Sequence, residues 1–154
     1  MKRFLAAAAL LLLAAPAQAA PAFSLVMVED CQKAEKPRLY QGAGGLPFCL
    51  KGAAFLTAKD IVAARETMVS AERLSVFGIA DPHVLHLTVT AAAAKRLTDL
   101  SYDNRGESFV AMVDDQVVSI TSIGDPLHGA ELELLVSLAN PEFAVLVKSL
   151  GKAP

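Results

Sequence analysis

The chain has no tryptophan, two tyrosines, two cysteines and three histidines in 154 residues. Few of its side chains are therefore suited to redox, metal or nucleophilic chemistry. No G-x-S-x-G elbow occurs, so the usual signature of a serine hydrolase is missing. Neither G-x-x-x-x-G-K-[ST] nor G-x-G-x-x-G occurs, and nucleotide binding has no support. The only glycine cluster, "GAGG" at 42–45, lies between the cysteines, does not open a helix and reads as flexible linker.

One apolar run stands out, at the very start. "MKRFLAAAALLLLAAPAQAA" has the three parts of a secretory leader: Lys2 and Arg3, an apolar core from Phe4 to Ala15, and the small-residue site Ala17-Gln18-Ala19. Its core is too short for a membrane span, which needs about 20 apolar residues. The expectation is cleavage near Ala19/Ala20 and a periplasmic or secreted protein. No membrane span is expected after removal, since Lys148 interrupts the most apolar later segment. Without Lys2 and Arg3, 12 basic side chains face 16 acidic ones, a net charge of −4. That balance argues against nucleic acid and against anionic membranes as partners.

Two cysteines, Cys31 and Cys49, remain in an exported chain and are expected to form one disulfide. The segment between them, "QKAEKPRLYQGAGGLPF", is rich in glycine, proline and charge and has no histidine to share a metal site. Closing it contributes roughly 3 kcal/mol through loss of chain entropy in the unfolded state.

Apolar periodicity outlines the rest. "FSLVMV" at 23–28 suits a buried strand, and "FCLKGA" a short extended segment. "LTAKDIVAARE" predicts a helix with Thr57 as N-cap, Asp60 completing a capping box, and Ile61 and Ala64 on one face. A strand is expected around 72–77. "VLHLTVT" alternates, Leu85, Leu87 and Val89 to one side and His86, Thr88 and Thr90 to the other. "TAAAAKRLTDLS" predicts a helix capped by Thr90, with Ala93, Ala94, Leu97 and Leu100 or Ser101 towards the core. "SFVAMV" and "VVSITSI" are two strands, and "ELELLVSL" alternates again. "NPEFAVLVKSLG" predicts a closing helix capped by Asn140, with Pro141 in its first turn, Gly151 at its end, and Phe143, Leu146, Val147 and Leu150 as its buried stripe.

Asp114 and Asp115 sit between two apolar strands. Adjacent side chains in a strand or tight turn diverge, so the pair is read as a hairpin corner rather than a catalytic couple. His83 and His86 face opposite sides of one strand and lack the i, i+4 spacing of a helical zinc pair. His86 is expected to be an exposed strand residue and His128 an exposed loop residue. No catalytic, cofactor-binding or metal-binding residue is assigned, and no cofactor is expected.

The order of elements carries a resemblance. "LTVTAAAAKRLTDLSYDNRGESFVAMVDDQVVS", "SLANPEFAVLVKSL" and "LTAKDIVAAR" together resemble the periplasmic head subdomain of the SecD/SecF protein-export factors. Ser101, Asn104 and Gly106 stand at the family's threonine-x-x-asparagine-x-glycine loop. Asp115 stands at its Asp-Gly hairpin turn, with Gln116 in place of the glycine, and Thr121 where proline is frequent. The likeness runs from about Leu56 to Leu150 and lacks the family's membrane segments. It implies an α+β fold, a mostly antiparallel sheet with helices on one face in a ferredoxin-like sandwich. The division expected is a signal peptide at 1–19, a strand and disulfide loop at 20–55, and a head-like domain at 56–151. The function implied is a non-enzymatic exported module that contacts another envelope protein or an extended polypeptide. The alternative is a small exported hydrolase or metal-dependent enzyme using His83, His86 or His128.

Overall fold

The structure is a computed structural model, described here for residues 20–34, 39–41, 47–67 and 82–151. The leader, the glycine cluster at 42–45 and the strand expected at 72–77 lie outside the described residues. Within them the order is β1 (Phe23–Glu29), β2 (Tyr40–Gln41), β3 (Pro47–Thr57), a 3-10 turn (Ala58–Asp60), β4 (Ile61–Thr67), β5 (Pro82–Val89), α1 (Ala91–Asp103), β6 (Ser108–Val113), β7 (Gln116–Ser122), β8 (Glu131–Ser137) and α2 (Asn140–Leu150). Every ladder is antiparallel. The strands form a five-stranded sheet, β2-β3-β1-β6-β7, and a three-stranded sheet, β4-β5-β8. The fold is α+β, with one disulfide.

β1 is apolar almost throughout because both its faces are covered. Phe23, Leu25 and Met27 point into the main core, while Val26 joins Phe48, Val110 and Met112 in a second cluster behind it. Beside it, β3 leaves register: Leu25 pairs with Leu56, but Met27 pairs with Lys51. Gly52, at φ +69°, allows the chain to bulge there, and Phe55 returns edge-on to Phe109 at 5.7 Å. The disulfide Cys31–Cys49, with Cα atoms 4.9 Å apart, closes the end of this ladder, where Glu29 pairs with Cys49.

The main core joins the inner faces of both sheets to both helices. Leu85, Leu87 and Val89 of β5 meet Leu132, Leu134 and Val136 of β8 there. Each such side chain, fully buried, contributes roughly 1.5–3 kcal/mol. α1 begins where the Thr90 hydroxyl accepts the Ala93 N–H, and it buries Ala93, Leu97 and Ser101, one residue per turn. α2 buries Phe143, Leu146 and Leu150. Its N-cap is Ala139 rather than Asn140, which forms the first residue of the helix and makes no cap bond. At its other end Gly151 lets the helix terminus approach β4: a Cβ there would stand 3.3 Å from the Ala64 carbonyl oxygen.

The helix expected from Thr57 is not formed. Its capping box closes a single 3-10 turn, and Ile61–Thr67 then runs as β4, paired with β5 from Ile61↔Val89 to Thr67↔Val84. The ladder shifts between Ile61 and Ala63, so one extra residue puts Ile61 and Ala64 on the same face three positions apart. A β-bulge thus reproduces the spacing of a helical stripe.

Candidate functional site

The β6–β7 hairpin turns through Asp114 and Asp115, at φ +48° and +67°, while Val113 and Gln116 pair on either side. Two successive left-handed residues make a type I′ turn, which suits the twist of a hairpin. The turn is therefore centred one residue earlier than an Asp115-Gln116 corner, and Gln116 lies in the strand. Asp114 Oδ1 accepts the Ala22 N–H at 2.8 Å and the Asp114 N–H donates to the Ala22 carbonyl at 3.0 Å. The segment leading into β1 is stitched to the turn by this pair. Beside it lies a groove of about 390 Å³ lined by Pro21, Val113, Leu138, Pro141 and the 57 %-exposed Val145, with Asp114 and Glu142 on its rim.

The loop after α1 is closed by polar side chains. Asn104 Nδ2 donates to the Leu100 carbonyl at 2.7 Å, and Gly106, at φ +82°, donates its N–H to the Ile123 carbonyl. One turn earlier, Ser101 is fully buried; its hydroxyl donates to the Thr98 carbonyl and accepts the Leu127 N–H, both within 2.9 Å. Thr98 donates to the Leu127 carbonyl. α1 thereby grips both backbone groups of Leu127 and fixes the connection from β7 to β8.

The three histidines occupy separate environments. His83 faces the core side, its ring stacked on Phe143 at 4.1 Å and its Nδ1 3.0 Å from Glu66 Oε1. With Asn140 and Lys148 these residues line a groove of about 420 Å³. His86 points to the opposite face of β5, with Nδ1 3.3 Å from Glu133 and Nε2 3.7 Å from Glu131. It is 6 % exposed, not the open strand residue expected, because β4 and β8 flank it on both sides. Finding this requires cross-strand register, which pairs His86 with Glu133 and Arg65 and which no local pattern specifies. His128 is exposed beside Tyr102. Among the described residues no three His, Cys, Asp or Glu side chains form a metal-binding group.

Asp60 is held below the ordinary carboxylate range. Burial alone would raise it, but the Thr57 N–H, the Arg96 guanidinium and the Thr57 hydroxyl outweigh that and hold it below the usual value. Its backbone carbonyl accepts the Thr90 N–H, so this single residue links the 3-10 turn, the end of β5 and α1.

No family model and no curated protein matches the sequence. Solved structures do. A structure of SecDF, described as a membrane component that enhances protein export, superposes over 86 % of this chain with a TM-score of 0.60 at 16 % identity. The fold is one found in SecDF. A second SecDF structure, in a super-membrane-facing form, superposes over 87 % of the chain with a TM-score of 0.58 at 19 % identity. The chain spans 63 % of the first SecDF chain and 19 % of the second. No helix among the described residues is long and apolar enough to cross a membrane.

Proposed function

We propose that this protein is an exported, non-enzymatic binding module that acts outside the cytoplasmic membrane, in the periplasm, once residues 1–19 have been removed near Ala19/Ala20. Its partner is another envelope protein or an extended stretch of exported polypeptide. The observation that carries the reading is the fold shared over 86 % of the chain with a component that enhances protein export. Two features support it. The turn and loop residues of the likeness, Ser101, Asn104, Gly106, Asp114 and Asp115, serve turns and helix ends rather than a common cleft. β4 has a ladder partner on one side alone among the described residues and carries the 45 %-exposed Val62, an edge suited to strand addition by an extended chain.

The test is binding of a secretory polypeptide held unfolded by reduction and alkylation, compared with its folded form, followed by fluorescence anisotropy. Saturable binding of the unfolded form, at least tenfold tighter than of the folded one, is expected. Equal affinities, or no saturable binding to either, would overturn the reading.

A further inference from the structure

Among the described residues β4 is an outer strand of its sheet, and α2 packs over its core side, with Gly151 close to the Ala64 backbone. Between strand and helix lies the groove of about 420 Å³ that holds Glu66, Phe143, Ala144, Val147 and Lys148. A strand edge with a helix beside it suits an extended chain, which finds backbone groups on the strand and side-chain room towards the helix. The charges around this edge are one-sided. Glu66 is engaged by His83, Asp60 by Arg96 and, across β5, Glu131 and Glu133 by His86. Lys59, Arg65 and Lys148 are all exposed, and none of them forms an ion pair among the described residues. The chain has 14 basic side chains against 16 acidic ones, so a basic edge is a local feature of an acidic protein.

We propose that the β4 edge and the α2 groove take an extended polypeptide segment bearing two consecutive acidic residues, added to the sheet as a further strand. This rests on the binding module proposed above and names the kind of segment it selects. Arg65 lies on the face of His86, its register partner, whereas Glu66 lies on the α2 side with Leu85. Successive side chains of an added strand alternate in the same way. One carboxylate therefore meets Arg65 on the outer face, and the next meets Lys148 on the helix side. The 45 %-exposed Val62 offers an apolar contact further along the edge. Pairing two copies of this edge would duplicate the unpaired cations, and charge of one sign on an edge strand deters it from its own kind. The occupant is thus an acidic strand rather than a second copy of this chain.

The experiment is fluorescence anisotropy with short labelled peptides, one with Asp-Glu at its centre among threonine and valine, and one with Asn-Gln there instead. Saturable binding of the acidic peptide, about tenfold tighter than of the amide one, is expected. Arg65→Gln and Lys148→Gln should each weaken it about threefold, the scale of one cross-strand charge pair. Both residues are exposed, so the variants retain the fold. Arg105→Gln, in the loop after α1, should leave binding as it is. Of two acidic peptides N-methylated on alternate sets of amides, one alone should lose binding, since an added strand turns every second N–H to its neighbour. Binding that ignores both Arg65→Gln and Lys148→Gln, or that survives in both N-methylated peptides, would overturn the proposal. So would equal binding of the acidic and amide peptides, or none of the acidic one; the module reading then stands if the unfolded secretory polypeptide still binds and falls with it if that polypeptide does not.

Discussion

Replacing Ser101 with alanine removes one oxygen from a site with no solvent. The hydroxyl is the acceptor for the Leu127 N–H at 2.8 Å, and the residue is 0 % exposed, so water cannot take its place. An orphaned buried donor costs about 1–3 kcal/mol. Alanine returns up to about 0.5 kcal/mol as the better helix former, which leaves a net loss of roughly 1–2 kcal/mol. The effect should be local as well as global. Leu127 keeps its carbonyl bond from Thr98 but loses the one on its amide. Urea unfolding measures the first quantity, with an unchanged m-value expected because the same surface is exposed. Amide exchange measures the second, and the Leu127 amide should lose protection before its neighbours in β8. A stability within about 0.5 kcal/mol of the parent, the ordinary range of neutral surface changes, together with unaltered Leu127 protection, would refute the view that α1 fastens this loop through Ser101.

The hairpin separates two aspartates of similar appearance. Asp115→Gly should raise stability in urea unfolding by about 0.5–1 kcal/mol by relieving a left-handed non-glycine residue, whereas Asp114→Ala should lower it by about 1–2 kcal/mol by losing the Ala22 bond and keeping the strain. Asp60 predicts a pH dependence of known sign. Its folded carboxyl titrates below the ordinary value of 3.8, so its contribution is complete above that value and disappears as the pH falls through the lower folded one. The stability gap between the parent and Asp60→Asn, read from unfolding at pH 6 and pH 3, should therefore narrow in acid; a gap that widens would reverse the sign. Native protein should not react with a thiol reagent until it is reduced and unfolded, and the double replacement Cys31→Ser with Cys49→Ser should lower stability by roughly 3 kcal/mol in the same unfolding assay.

Elements whose partners follow directly in sequence were legible. Thr90 opens a helix with apolar residues one turn apart, and the strands at 108–113 and 116–122 announce themselves because a two-residue turn joins them. β4 was not legible, for a definite reason. Thr57 and Asp60 do form the local signals of a helix start, and "IVAARE" contains good helix formers. The deciding term is pairing with β5, whose edge takes up the backbone groups of Ile61–Thr67, and that benefit appears only once β5 lies alongside. The bulge then disguises the strand by giving it a three-residue apolar spacing. The start of α2 differed by one residue only, since Asn140 and Ala139 both stand before a proline-led turn.

His86 is a different kind of failure. The alternation of "VLHLTVT" correctly puts Leu85, Leu87 and Val89 inward, and by the same rule the histidine outward. Outward ought to mean wet, yet this imidazole is buried on the face that the main core does not use. A chain under selection for folding alone would place threonine or valine at such a position, as it does at Thr88 and Val84. Local choices in a well-folded sequence normally agree with the global structure, and a buried polar atom left without a partner is the usual form of exception. The exception here comes as a set: one imidazole, two glutamates two residues apart on the adjoining strand, and a buried Nε2 with no hydrogen-bond partner. Fold closure by turns and caps explains Ser101, Asn104, Asp60 and Asp114, but it does not explain this group. A variant with His86→Val should settle which purpose the residue serves. If it serves the fold, stability falls in urea unfolding. If it does not, stability stays level or rises by about 1 kcal/mol, since a well-shaped apolar residue replaces an unsatisfied polar one.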